Sequence, residues 1–111
     1  MSSLKHIAPE LVSELAVALI GEQRPELAEQ FGHAAIDRCT YSDEDDLGYV
    51  YLTRPTPSSP FTKLAAPVAE TVSFYLECGL NVDVDHDGHL FGVEFIGRPD
   101  VAVKLRAANV L

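Results

Sequence analysis

Apolar residues follow two rhythms along this chain, and the change from one to the other divides it. Over residues 8–22 the period is helical: Leu11, Leu15 and Leu19 recur every four positions, with Val12 and Ile20 beside them in one stripe. Pro9 suits the first helical position, where a missing N–H costs little. Gly21 ends that helix, and Pro25 starts a second over residues 25–34 with Leu27 and Phe31 on one face. The two make a short helical hairpin.

From Ile36 the period drops to two. IDRCTY and LGYVYLT read as strands, joined by the acidic turn SDEDD. RPTPSSPFT places three prolines within residues 54–60 and reads as a stiffened surface loop. PVAETVSFYLECG carries both rhythms: Val68, Val72, Tyr75 and Leu76 fit a helical face, while Val72, Phe74 and Leu76 alternate. Thr71, Val72, Phe74 and Tyr75 favour extended backbone and tip the balance to strand. LNVDVD and LFGVEFI are strands. RPDVAVKLRAA opens on Pro99 and reads as a short helix, with Val101, Leu105 and Ala108 on one face and Asp100 one turn from Lys104. The expected fold is α+β: an antiparallel sheet of about five strands over residues 36–97, a helical hairpin over 1–35 and a C-terminal helix over 98–111. These form one domain, with the helices on one face of the sheet.

Residues 83–94, DVDHDGHLFGVE, match every fixed position of the calcium-loop pattern D-x-D-x-D-G-x5-E. The flanks contradict a calcium loop. Leu80, Val82 and Val84 alternate with Asn81, Asp83 and Asp85, and Gly97 and Pro99 leave no room for an exiting helix. A hairpin turning at Asp87-Gly88 in a type I′ turn sorts the side chains instead. His86 then faces His89. One face pairs Val84 with Phe91, Val82 with Val93 and Leu80 with Phe95. The other pairs Asp85 with Leu90, Asp83 with Gly92 and Asn81 with Glu94. His86 and His89 lack a third ligand, so no metal site is expected.

Charge narrows the function classes. Seventeen acidic residues against eight basic ones leave a net charge of −9. Such a surface repels nucleic-acid backbones and anionic lipid and speeds encounter with a basic partner. A DNA-reading helix-turn-helix is disfavoured, because the second helix carries Glu26 and Glu29 but no Lys or Arg. No apolar run reaches the ~18 residues of a membrane span, and the start of the chain lacks a signal-peptide pattern. The expected location is cytoplasmic. Cys39 and Cys78 form no CxxC motif and are expected as free thiols.

Two stretches resemble a known family. YSDEDDLGYVYL resembles the pattern Y-D-x-x-x-D-x-x-Y-x-x-L, and LNVDVDHDGHLFGVEFIG resembles V-D-x-D-x-x-G-x-x-x-G-[IV]-E-[IV]. In this order they look like the small bacterial family called domain of unknown function twenty-two eighty-three. The resemblance covers residues 41–97, and it implies that D-x-x-G is a hairpin turn. The insertion RPTPSSPFTKLAAP and the helical hairpin before Ile36 depart from the pattern. The family supplies a fold and no activity. Some such small acidic proteins resemble immunity proteins or antitoxins.

No phosphate loop, nucleophile elbow or Cys/His pair is present in the sequence. Asp83 and Glu94 are the nearest thing to a carboxylate pair, but a flat outer face offers no cleft to shift one pKa upward. The expected function is therefore non-enzymatic: an immunity protein or antitoxin that occludes the active site of a basic, nuclease-like toxin. No catalytic residue, cofactor or metal is assigned. The candidate interaction residues are Asp43, Glu44, Asp45 and Asp46 in the acidic turn, with Tyr49, Tyr51, Asp83, Asp85 and Glu94. Tyr41, Tyr49 and Tyr51 also read as buried sheet aromatics. Two alternatives stay open. One is a self-associating module, a homodimer, pairing through an edge strand at residues 49–52. The other is a small metal-dependent binder or enzyme centred on the 83–94 hairpin.

Overall fold

A computed structural model describes residues 2–55 and 67–111 of the chain. Its elements run α1 (Leu4–Ile7), α2 (Pro9–Gly21), α3 (Pro25–Phe31), β1 (Ile36–Ser42), β2 (Leu47–Leu52), β3 (Glu70–Phe74), α4 (Tyr75–Cys78), β4 (Leu80–Val84), β5 (Leu90–Ile96) and α5 (Pro99–Ala107). The strands form one antiparallel sheet in the order β1-β2-β5-β4-β3. The architecture is α+β. Of the proline-rich loop, residues 56–66 lie outside the described residues.

Proline starts each of the three longer helices. Pro9, Pro25 and Pro99 all sit in the first turn, where φ is already set and the absent N–H had no partner. One apolar face of each helix then closes on the sheet. Leu11, Val12, Leu15 and Leu19 of α2, Leu27 and Phe31 of α3, and Val101 and Leu105 of α5 are buried with Val50, Leu80, Val82, Val93 and Phe95. Two stripe positions point elsewhere: Ile20 is 59% exposed, and Ala108 is exposed beyond the end of α5. The ambiguous segment uses both rhythms in turn. It is strand to Phe74, then one helical turn that leaves Leu76 94% exposed.

Side-chain bonds fasten the helices to the sheet. The Gln30 amide on α3 donates to the Gly88 carbonyl at 2.9 Å and accepts from the Leu90 N–H at 3.0 Å. Arg24 grips Glu70 at the start of β3 through two nitrogens, at 2.8 and 3.0 Å. Arg98 donates to Glu14 of α2, to the carbonyl of Cys78 at the end of α4, and to Asp100. Its fork reads three acceptors at once, a geometry a lysine cannot copy.

The β4–β5 hairpin forms, and its loop is flanked by strands where a calcium loop would have helices. Its turn differs from the expected one. Gly88 N–H bonds the Asp85 carbonyl, and Asp85 N–H bonds the His89 carbonyl. The loop is therefore three residues, His86 to Gly88, with Gly88 alone at positive φ (81°). A type I′ turn would need Asp87 at positive φ as well. Asp85, not His86, faces His89. The extra loop residue brings Leu90 opposite Val84, and a bulge at Phe91 restores the Asp83–Gly92 and Val82–Val93 pairs. Leu90 thus turns inward, and Phe91 turns outward, away from its expected place opposite Val84.

Candidate functional site

The helices cover one face of the sheet, and no described element covers the other. On that open face the cross-strand rows are fixed by register. One row runs Arg38–Tyr51–Gly92–Asp83–Thr71, and the next runs Thr40–Tyr49–Glu94–Asn81–Ser73. Tyr49, Tyr51 and Phe91 meet in the middle, with ring centroids 4.6, 6.0 and 6.4 Å apart. Two of these contacts are edge-on, as ring quadrupoles prefer. All three residues are half-buried. They gather here because Gly92 has no side chain: a Cβ there would overlap the Tyr49 ring.

Charged groups frame the aromatic centre. The Arg38 guanidinium lies 3.9 Å from the Tyr51 ring centroid, and that of Arg54 lies 4.7 Å from Phe91. On the far side Tyr49 Oη donates to Asp83 Oδ2 at 2.5 Å, and Thr71 Oγ1 donates to Asp83 Oδ1 at 2.6 Å. Burial, then the bond to Asp83, pushes the Tyr49 phenol pKa far up. Asn81 donates to Glu94 at 2.9 Å in the second row.

Of the residues expected to act together, Tyr49, Tyr51, Asp83 and Glu94 do share this face. Asp85 does not. It is 6% exposed and caps the hairpin loop: Oδ1 accepts from the N–H groups of Asp87 and His89, both at 2.9 Å, and Oδ2 from Arg54 at 3.0 Å. Burial pushes its pKa up, but the His89 N–H, Arg54 and the Asp87 N–H outweigh it, and the net shift is downward. The acidic turn sits at the opposite end of the sheet, beside the exit of β5, where Gly97 N–H bonds the Asp46 carbonyl. Within it Asp46 accepts from Tyr41, Asp45 from Ser42, and Asp43 pairs with Arg106. Glu44 is exposed. Tyr41 itself faces inward and stacks on Phe95 at 5.8 Å.

The sequence reading missed Arg38, Arg54 and Phe91. Alternation along β1 carried a signal for Arg38, since the face opposite Tyr41 takes Arg38 and Thr40. The edge pairing expected at residues 49–52 fails, because β2 is bonded on both sides, to β1 and β5. Among the described residues the sheet edges are β1 and β3.

Asp85, Asp87 and His89 could each present one ligand atom within 4.8 Å of the others. Both Asp85 oxygens are already occupied by the loop N–H groups and Arg54. Glu94, the last position of the calcium pattern, lies on the sheet roughly 15 Å along the strand from the turn. Among the described residues no helix is long and apolar enough to cross a membrane. Burial raises the Cys39 thiol to about 11, so it is a poor nucleophile. Comparison with protein-family models, curated proteins and solved structures returned no match.

Proposed function

We propose that this chain is a non-enzymatic protein-binding module of the immunity or antitoxin kind, docking a basic partner on the open face of its sheet. The observation that carries this reading is the cluster of Tyr49, Tyr51 and Phe91, half-exposed at the centre of a face that no described element covers. Solvent-facing aromatic patches flanked by arginine and carboxylate have the composition of interface hot spots. The net charge of −9 steers a basic protein toward the molecule. The exposed acidic turn at Asp43, Glu44 and Asp45 lies at the Leu47 end of the sheet, where Asp43 pairs with Arg106 of α5 on the covered side, so it adds to the steering field and not to the docking face. The steric mechanism is occlusion: aromatic rings anchor, and carboxylates occupy the partner's positive groove.

The test is capture of a basic partner by the wild-type chain but not by a Tyr51→Glu variant, followed by association rates at rising salt. The expected on-rate falls about tenfold or more between low and physiological salt. A partner that binds both chains equally, or an on-rate indifferent to salt, overturns the reading.

A further inference from the structure

The open face differs in charge from the rest of the molecule. The chain carries −9, yet around this face two arginines, Arg38 and Arg54, stand among three carboxylates, Asp83, Glu94 and the loop residue Asp85 that Arg54 bonds. The excess acid lies on the helices and turns, at positions such as Glu10, Glu22, Glu44 and Asp45. The face is therefore a nearly neutral window, apolar at its centre, in a strongly acidic surface.

The charges in that window are also ordered. In the row Arg38–Tyr51–Gly92–Asp83, the cation stands on β1 and the carboxylate on β4. Their midpoint falls between Tyr51 and Gly92, under the aromatic cluster. A twofold axis lying in the interface along the strands, between β2 and β5, exchanges the two ends of the row. It brings Arg38 of one copy over Asp83 of the other, twice, and lays one aromatic cluster on its twin. We propose that a second copy of this chain covers the open face in that arrangement, as an isologous sheet-on-sheet dimer. The proposal does not depend on a heterologous partner; that partner would displace the second copy from the same surface.

Three features favour this occupant. Self-complementary charge across a symmetry axis is what an isologous contact requires, and here the axis that exchanges Arg38 and Asp83 also passes under the aromatic cluster, laying Tyr51 of one copy over Gly92 of the other. Asp83 accepts from Tyr49 and Thr71 and, as a carboxylate, has capacity left for a guanidinium. Arg38 is exposed and held over Tyr51 by its ring contact alone among the described interactions, so it can swing to a neighbour at little cost. Five strands at ~4.8 Å spacing and about five residues at ~3.3 Å make a face roughly 20 by 16 Å. A patch of that size, about 320 Å² on each copy, lies below the roughly 1,000 Å² total of stable specific interfaces, so the association is weak and transient, with a dissociation constant on the order of 100 µM.

The test uses the purified full chain and sedimentation velocity over a dilution series. Wild type should pass from dimer to monomer across concentrations around that constant. Arg38→Asp alone and Asp83→Arg alone should each weaken self-association about tenfold or more. An equimolar mixture of the two variants should dimerise again. In the mixed dimer one contact keeps the native arginine–aspartate pair, and the other joins the two introduced charges with their places exchanged. Arg38→Asp changes an exposed edge residue, so its melting curve should match wild type and separate misfolding from lost contact. A wild-type chain that stays monomeric at about 1 mM, a dimer untouched by Arg38→Asp, or a mixture that fails to recover would each overturn the proposal.

Discussion

The two faces of one sheet use the same device to opposite ends. On the inner face Gly48 sits between Tyr41 and Phe95, and those rings stack across it, because a Cβ at Gly48 would overlap Phe95. On the outer face Gly92 sits under Tyr49, for the same steric reason. Inside, the helices close over the rings, and Phe95 is fully buried. Outside, nothing described closes over Tyr49, Tyr51 and Phe91, and arginines and carboxylates surround them instead. A glycine in a strand therefore marks where a ring lies flat on a sheet. What covers the ring decides whether it serves stability or contact.

The largest effect should separate the faces outright. Phe95→Ala removes a ring with no exposure from the packed side and should cost about 3–5 kcal/mol of unfolding free energy. Tyr51→Ala on the open side should cost about 1 kcal/mol or less. Urea denaturation of both variants measures the gap, and equal losses would erase the distinction between the faces.

Asp85 should come next. It belongs to neither face and pins the loop that sends Leu90 inward and Phe91 outward. Asp85→Ala leaves two loop N–H groups and Arg54 without their acceptor and should cost about 2–3 kcal/mol. The acid limb follows from its lowered pKa. A carboxylate held below its unfolded value, ~3.9 for Asp, stabilises the fold above that pH. The contribution is lost as pH falls through the folded value. Wild type should lose stability below about pH 4 more steeply than Asp85→Ala; parallel acid limbs would show that Asp85 is not the group responsible.

Tyr49→Phe should cost about 1 kcal/mol, since it removes only the hydroxyl that reaches Asp83. Burial and Asp83 hold that phenol protonated at high pH. The latest-titrating tyrosine in an alkaline absorbance titration should vanish in this variant, and its persistence would contradict the bond. Smallest of all, Leu76→Ser on the exposed turn of α4 should stay within about 0.5 kcal/mol of wild type. A larger loss would mean that Leu76 is covered.

The fold was legible where period and punctuation agreed. Leu11, Leu15 and Leu19 spell α2, and Leu80, Val82 and Val84 spell β4; proline placed three helix starts. Legibility failed where one residue of loop length decided everything after it. A three-residue loop in place of two, followed by a bulge, exchanges the faces of Leu90 and Phe91, and letters alone do not count loop residues. The same step removes Asp85 from the outer face. Tyr49, Tyr51, Asp83 and Glu94 were found because alternation and hairpin register survive on either side of that error. Arg54 was missed because its role depends on Phe91 being outside.

The most direct test of the open face as the working surface is a dilution series followed by NMR, reading assigned amide and aromatic ring signals. Shifts that move with concentration should be confined to Arg38, Tyr49, Tyr51, Asp83 and Phe91, while Val17 and Ile20 on the exposed side of α2 stay still. A spectrum that does not change with concentration, or changes that map to α2 and α4 instead, would contradict it.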